Sequence, residues 1–260
     1  MGETYLIVSA FVLGLIFGSF ATVVAHRIPK SEGIVSGRSR CPHCGRTIRA
    51  VENIPVLSYL MLRGRCRGCG TRISIRYPLI ELATGALFAL AAWKFELTVT
   101  GVVFAAFFWV LVVLTAIDLE HKLLPNRVVY PTFAAGWAGL ALAAAVDSDL
   151  DRLAEAALGA LIFGGFFFLV AFVYPAGMGG GDVKLAFVLG TFLGYLGAPG
   201  VVLVGMFLSF LTGALGGAAA MALTGAGRKT QVPFGPFLAA GTIVSVFVGE
   251  RIADWYGGRF

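Results

Sequence analysis

Eight apolar stretches, at about 5–26, 78–93, 99–118, 128–146, 155–175, 183–196, 201–223 and 233–249, leave this chain few ways to fold. A bilayer's hydrocarbon core, about 30 Å thick, takes about 20 apolar residues per helix. Seven of the stretches approach that length, and the sixth is short. The rest of the composition agrees. The 260 residues are 58% hydrophobic and 13% charged, where soluble domains carry about 25% charged residues. Disorder, a secreted disulfide scaffold and an ordinary soluble enzyme are excluded. The 35 glycines suit helices packed closely within a membrane. The expected fold is an all-α polytopic membrane protein of about eight transmembrane helices. Its divisions are a first helix (1–26), a hydrophilic loop (27–77) and a membrane-embedded core (78–260).

The net charge of +6 is not spread evenly. Arg27 to Tyr77 holds eleven Lys/Arg and two acids, Glu32 and Glu52, a balance of +9, so the remainder is slightly acidic. Positive loops stay on the cytoplasmic side. That places the N-terminus outside and the loop inside. Carried through eight spans, the same orientation puts sixteen basic residues inside, including Lys122, Arg127, Lys184, Arg228 and Lys229. Four fall outside: Lys94, Arg152, Arg251 and Arg259. Only Tyr59 and Tyr77 are aromatic in the loop, which argues against nucleic acid as its partner.

All four cysteines lie in that loop, as Cys41-Pro42-His43-Cys44 and Cys66-Arg67-Gly68-Cys69. A reducing cytosol disfavours disulfides. Two C-x2-C knuckles, each followed by glycine (Gly45, Gly70), fit a closed four-cysteine zinc site of structural type. A loop with little apolar content gains folding energy from such a metal. His43, inside the first knuckle, is expected to be solvated.

Among the acids, Glu81, Asp118 and Asp182 abut apolar segments, where ionisable groups carry a functional hypothesis by default. Asp118 closes a long apolar run, so its carboxylate opposes its own helix dipole. Asp182 follows Gly179-Gly180-Gly181, and the bland reading of it is a helix N-cap. Both aspartates reach the same membrane face in the expected topology, although 64 residues separate them. Two carboxylates in a poorly hydrated site share a proton, one acting as base toward water and the other as acid. Glycines there admit an extended peptide to the backbone.

These elements, in this order, resemble the type IV prepilin peptidases, membrane aspartic proteases with a glycine-x-glycine-aspartate motif. The resemblance covers nearly the whole chain. It rests on Gly18-Ser19-Phe20, His26-Arg27-Ile28-Pro29, both cysteine knuckles, Glu52-Asn53-Ile54-Pro55, Leu62-Arg63-Gly64-Arg65 and Arg76-Tyr77-Pro78-Leu79-Ile80-Glu81. It continues through Ile117-Asp118, Leu123-Leu124-Pro125, Gly179-Gly180-Gly181-Asp182-Val183-Lys184 and Pro233-Phe234-Gly235-Pro236. It implies Asp118 and Asp182 as the catalytic pair and Gly179 and Gly181 as motif glycines. It further implies removal of a short basic leader from prepilins or pseudopilins at the cytoplasmic face of the bacterial inner membrane. Members with the cysteine loop look bifunctional, methylating the new amino group from S-adenosylmethionine; the sequence places no site for that donor, with Glu52 and Glu81 as candidate contributors. Two positions depart from the family pattern: Ala21-Thr22-Val23 stands where an asparagine is usual, and Asn126 where aspartate is usual.

Smaller features have local readings. Gly14 and Gly18, and Gly213 with Gly216 and Gly217, have the spacing of close helix packing. Phe166-Phe167-Phe168 reads as lipid-facing bulk, and Pro233-Phe234-Gly235-Pro236 as the start of the last span, with a substrate contact open. Glu52, Glu81 and Glu120 are candidates for attracting a basic leader. The alternative function is a proton-coupled transporter using Asp118 and Asp182 as the ion relay. It requires internal repeats and acids near the midplane, and neither is visible. Oligomeric state and the particular prepilins are left open.

Overall fold

The computed structural model describes residues 2–34, 39–175, 178–224 and 233–257, with the side chains of residues 223 and 224 excepted. Gly177, Arg38, Arg228, Lys229 and Arg259 lie outside the described residues. Nine α-helices are present among those described: α1 (Gly2–Arg27), α2 (Leu57–Met61), α3 (Arg76–Phe95), α4 (Val99–His121), α5 (Asn126–Val146), α6 (Asp151–Val173), α7 (Gly180–Gly197), α8 (Gly200–Thr224) and α9 (Gly235–Gly257). The eight expected spans appear as α1 and α3–α9, each within a few residues of its apolar stretch except that α9 runs eight residues past the expected end at 249. Seven are long and apolar enough to cross a membrane; α7 is not among them.

The chain divides into two compact units, Met1–Ala116 and Ile117–Phe260. In the first, α1 and α3 pack along their small residues. A Cβ on Gly18 would lie 2.6 Å from Glu81 Cα, and one on Gly14 2.8 Å from Gly85 Cα. The packing reading of Gly14 and Gly18 holds. Trp109 of α4 donates its indole N–H to the Phe17 carbonyl at 2.8 Å and stacks on Phe20. Thr22 turns its hydroxyl back onto the Ser19 carbonyl, 2.7 Å away, so the residue at this departing position is engaged within its own helix.

In the second unit α7 is the central helix, packed by α5, α6, α8 and α9. This explains its modest hydropathy: a helix surrounded by protein does not have to match lipid. Its glycines set the approach of α6. A Cβ on Gly159 would strike the Gly190 carbonyl and lie 2.6 Å from Gly194 Cα. Between α8 and α9, Ser209 donates to the Gly205 and Leu238 carbonyls at 2.8 and 3.4 Å. Gly213 and Gly216 face Phe234 and Phe237, while Gly217 faces open space. The aromatic triplet splits, because a helix cannot turn three successive residues to one side. Phe166 and Phe168 are exposed, whereas Phe167 is fully buried and stacks on Phe210 and Phe234. The lipid-facing expectation is therefore corrected for Phe167.

Because α6 and α7 touch backbone to backbone, Gly159→Val is expected to destabilise the fold by about 1–3 kcal/mol through overpacking. Gly165→Ala on the same helix, where nothing lies within 4 Å, is expected to leave the thermal unfolding midpoint in detergent unchanged.

Candidate active site and metal centre

Asp118 lies in the last turn of α4 and is 5% exposed. A carboxylate there meets the negative end of its own helix dipole. The compensation comes from another helix: the Gly235 N–H, at the start of α9, donates to Asp118 Oδ2 at 3.1 Å. Pro236 follows and has no N–H, so Gly235 supplies the leading free donor of α9. Phe234 fixes this turn by packing against Phe167, Phe210 and Phe237. A side chain at Gly235 would crowd the site, since a Cβ would lie 2.7 Å from Asp118 Oδ2.

Asp182 sits in the first turn of α7, where the dipole favours an anion. The N-cap is Gly179, not Asp182. The Asp182 carboxylate reaches back to the Gly179 backbone, occupying the third helical position as the acid of a capping box does. A Cβ on Gly179 would lie 3.1 Å from Asp182 Oδ2. The two aspartates are near enough for their charges to act on one another. Leu124 stands between their supports: a Cβ on Gly181 would lie 3.0 Å from Leu124 Cβ, and one on Gly235 3.3 Å from Leu124 Cδ2. The motif glycine Gly181 thus lets α7 close onto Leu124. At the same end, Lys184 donates to Asn126 Oδ1 at 3.0 Å and lies over the Tyr130 ring. The departing Asn126 therefore has a partner on the aspartate's own helix.

Sequence reasoning treats Gly235 only as part of a general substrate contact and does not single out Leu124 as a site residue. The glycine between Phe234 and Pro236 is the available signal for a free N–H. For Leu124 the signal is its place in the Leu123-Leu124-Pro125 element.

The four cysteines converge as the knuckle spacing predicts, with their Sγ atoms all within 4.8 Å of one another. The knuckles are built alike. Cys41 N–H bonds the Arg46 carbonyl and Gly45 N–H the Cys41 carbonyl, both at 2.9 Å; Cys66–Thr71 and Gly70–Cys66 repeat this at 2.8 and 2.9 Å. Gly45 and Gly70 take φ of +69° and +70°, a conformation that disfavours side chains. Tetrahedral Zn–S bonds of about 2.3 Å would set sulfurs about 3.8 Å apart, and Cys41 Sγ and Cys69 Sγ are 3.9 Å apart. The donor set therefore fits a thiolate-bound metal. The Thr71 hydroxyl, and then its backbone N–H, hold the Cys69 thiol down to about 6, while at Cys44 the Arg46 N–H is outweighed by the neighbouring thiols, which push it up to about 11. His43 is exposed, as expected.

Two acids expected to attract a leader are already engaged. The Arg46 guanidinium bonds both Glu52 oxygens, and Arg49 N–H donates to Glu52 at 3.1 Å. Arg67 of the second knuckle lies 3.7 Å from Glu52. Arg46 first, and then the Arg49 N–H, hold the Glu52 carboxyl below the usual range. Glu52 thus ties the two knuckles together. Glu81 is buried and accepts the Val56 N–H at 2.7 Å. Glu120 is exposed.

The profile described as "Type IV leader peptidase family" matches residues 105–217, spanning Asp118 and Asp182. The chain belongs to this family. "Bacterial Peptidase A24 N-terminal domain" matches residues 12–95, which include the cysteine loop. Three relatives are each named prepilin leader peptidase/N-methyltransferase. That of Bacillus subtilis is 39% identical, covering 95% of this chain and 96% of its own. That of Pseudomonas aeruginosa is 36% identical, covering 96% and 93%. That of Myxococcus xanthus is 42% identical, covering 85% and 65%. No solved structure matches the chain. Family membership and the apolar helices make this a multi-pass membrane protein.

The sulfur geometry generates a direct expectation. Metal analysis of the purified protein should find one tetrahedrally bound ion per chain, lost in Cys66→Ser; a metal-free wild type would contradict it.

Proposed function

We propose that this chain is an endopeptidase that removes the short basic leader of type IV prepilins or pseudopilins, with Asp118 and Asp182 as its catalytic pair. The observation that carries the reading is geometric: the Gly235 N–H holds the Asp118 carboxylate, and Leu124 packs against both Gly235 and Gly181, the residue before Asp182. With one proton between them, the ionised aspartate takes a proton from water as it attacks the scissile carbonyl. The protonated partner donates to the carbonyl oxygen. Collapse of the tetrahedral adduct then releases the leader and a new amino terminus. Gly179 keeps a side chain away from the Asp182 carboxylate, and Gly181 lets its helix close onto Leu124.

The relatives' names support a second activity, methylation of that amino terminus, with S-adenosylmethionine as the donor. The four cysteines hold zinc as a structural ion, since four thiolates leave no open position. Residues 27–77 form the zinc-bearing loop, between the first helix and the peptidase core at 78–260. The distribution of basic residues orients the chain with its N-terminus outside and the loop and aspartates toward the cytoplasm, in the bacterial inner membrane. There the apolar helix of a prepilin stays in the bilayer while its leader meets the dyad. A transporter reading draws no support: the aspartates sit at helix ends, and the relatives carry a peptidase name.

Purified enzyme and a prepilin in detergent provide the test. Asp118→Asn and Asp182→Asn are each expected to lower the cleavage rate by about 10²–10⁴-fold, the range for loss of a general acid or base. Metal content should be unaltered. Full cleavage by either variant would overturn the dyad.

A further inference from the structure

The loop between α1 and α3 presents apolar side chains that the cysteine cluster does not use. Val51, Ile54, Leu57, Leu60 and Met61 are between 45% and 74% exposed. The side of α2 turned inward is instead Ser58, buried, its hydroxyl donating to the Val51 carbonyl at 3.2 Å. An apolar face turned outward from a strongly basic loop inverts the pattern of a water-facing module and marks an interaction surface.

A single node fixes where this face lies. The carboxylate of Glu81, within α3, accepts the Val56 N–H at 2.7 Å, and the Ser19 side chain of α1 hydrogen-bonds to it as well. Val56 has φ +59° and ψ −50°, and the Leu57 N–H closes onto the Pro55 carbonyl. This is a γ-turn of positive φ, a strained conformation for a β-branched residue, and such strain persists where surroundings over-determine it. Glu81 stands about 7.5 Å along α3 from Arg76, at 1.5 Å per residue. The start of α2 is thereby pinned beside the first turns of a membrane-spanning helix. There Ile75, Leu79 and Leu82 are themselves exposed and apolar. Arg49, Arg63, Arg65 and Arg72 are exposed on the same loop.

We propose that residues 51–61 are an interfacial anchor. The side chains of Val51, Ile54, Leu57, Leu60 and Met61 enter the boundary between headgroups and acyl chains of an anionic bilayer, and the neighbouring arginines meet its headgroups. Charge selects this occupant. A balance of +9 repels a second copy of the loop and a basic peptide, and it is attracted to an anionic lipid surface. Continuity with the lipid-facing residues of α3 supplies the apolar side. The inference stands apart from the peptidase reading.

The test uses the full chain in vesicles of phosphatidylglycerol and phosphatidylethanolamine. Leu60 or Met61 is replaced by photoreactive benzoylphenylalanine, with His43, exposed in the first knuckle, replaced as the control. Lipid adducts at positions 60 and 61 should exceed those at 43 several-fold. Equal yields, or adducts mainly to a second copy of the chain or to an added prepilin, would overturn the anchor. Backbone hydrogen exchange over residues 51–61 gives a second measurement. Leu60→Glu, on an exposed position, should retain metal yet exchange several-fold faster in vesicles. Unchanged exchange would count against the proposal.

Discussion

A carboxylate at the wrong end of a helix is the constraint on which the second unit depends. Asp118 closes α4, where the peptide dipoles disfavour negative charge, and it is buried as well. Left alone, such a group would destabilise the fold. The Gly235 N–H meets it at the dipole-positive start of α9, so one helix terminus compensates another. This requires α9 to begin at that point, and the packing of Phe234 among Phe167, Phe210 and Phe237 ensures it. Asp182 has the opposite situation, since its own helix welcomes it. Two like residues are thus held at one end of the unit by different means, the asymmetry that the proposed acid and base roles call for.

Glycine serves three distinct purposes here. On α6 and α7 it permits backbone contact, at Gly159, Gly190 and Gly194. After each cysteine knuckle it supplies a positive φ, at Gly45 and Gly70. Around the aspartates it admits close neighbours: the Asp182 carboxylate at Gly179, Leu124 at Gly181 and the Asp118 carboxylate at Gly235. The buried position of α7 follows from the first purpose. With protein on several sides, a helix can begin with Asp182 and Lys184 and still cross the centre of the unit.

Local patterns in the chain carry much of this architecture. Hydropathy locates the eight long helices because each is a continuous apolar run, and C-x2-C spacing locates the four-cysteine cluster because the knuckle is a local structure. The family pattern points to Asp118 and Asp182. Other features depend on contacts between residues far apart in the chain. Phe167 reads like its neighbours Phe166 and Phe168, and only the fold distinguishes the buried one. Glu52 and Glu81 read as free acids on a basic loop and a helix end. The structure instead commits one to Arg46 and the other to Val56. Leu124 enters the family pattern only within Leu123-Leu124-Pro125; its place between Gly181 and Gly235 arises from the α4–α5 connection meeting α7 and α9.

The central claim is that two carboxylates act as one unit through a shared proton. The pH dependence of leader cleavage tests it most directly. The account expects a bell-shaped profile, with activity lost at low pH when both groups are protonated and at high pH when both are ionised. The two apparent ionisations would belong to the pair rather than to either residue. A rate that rises through a single ionisation and stays on a plateau at high pH would contradict it.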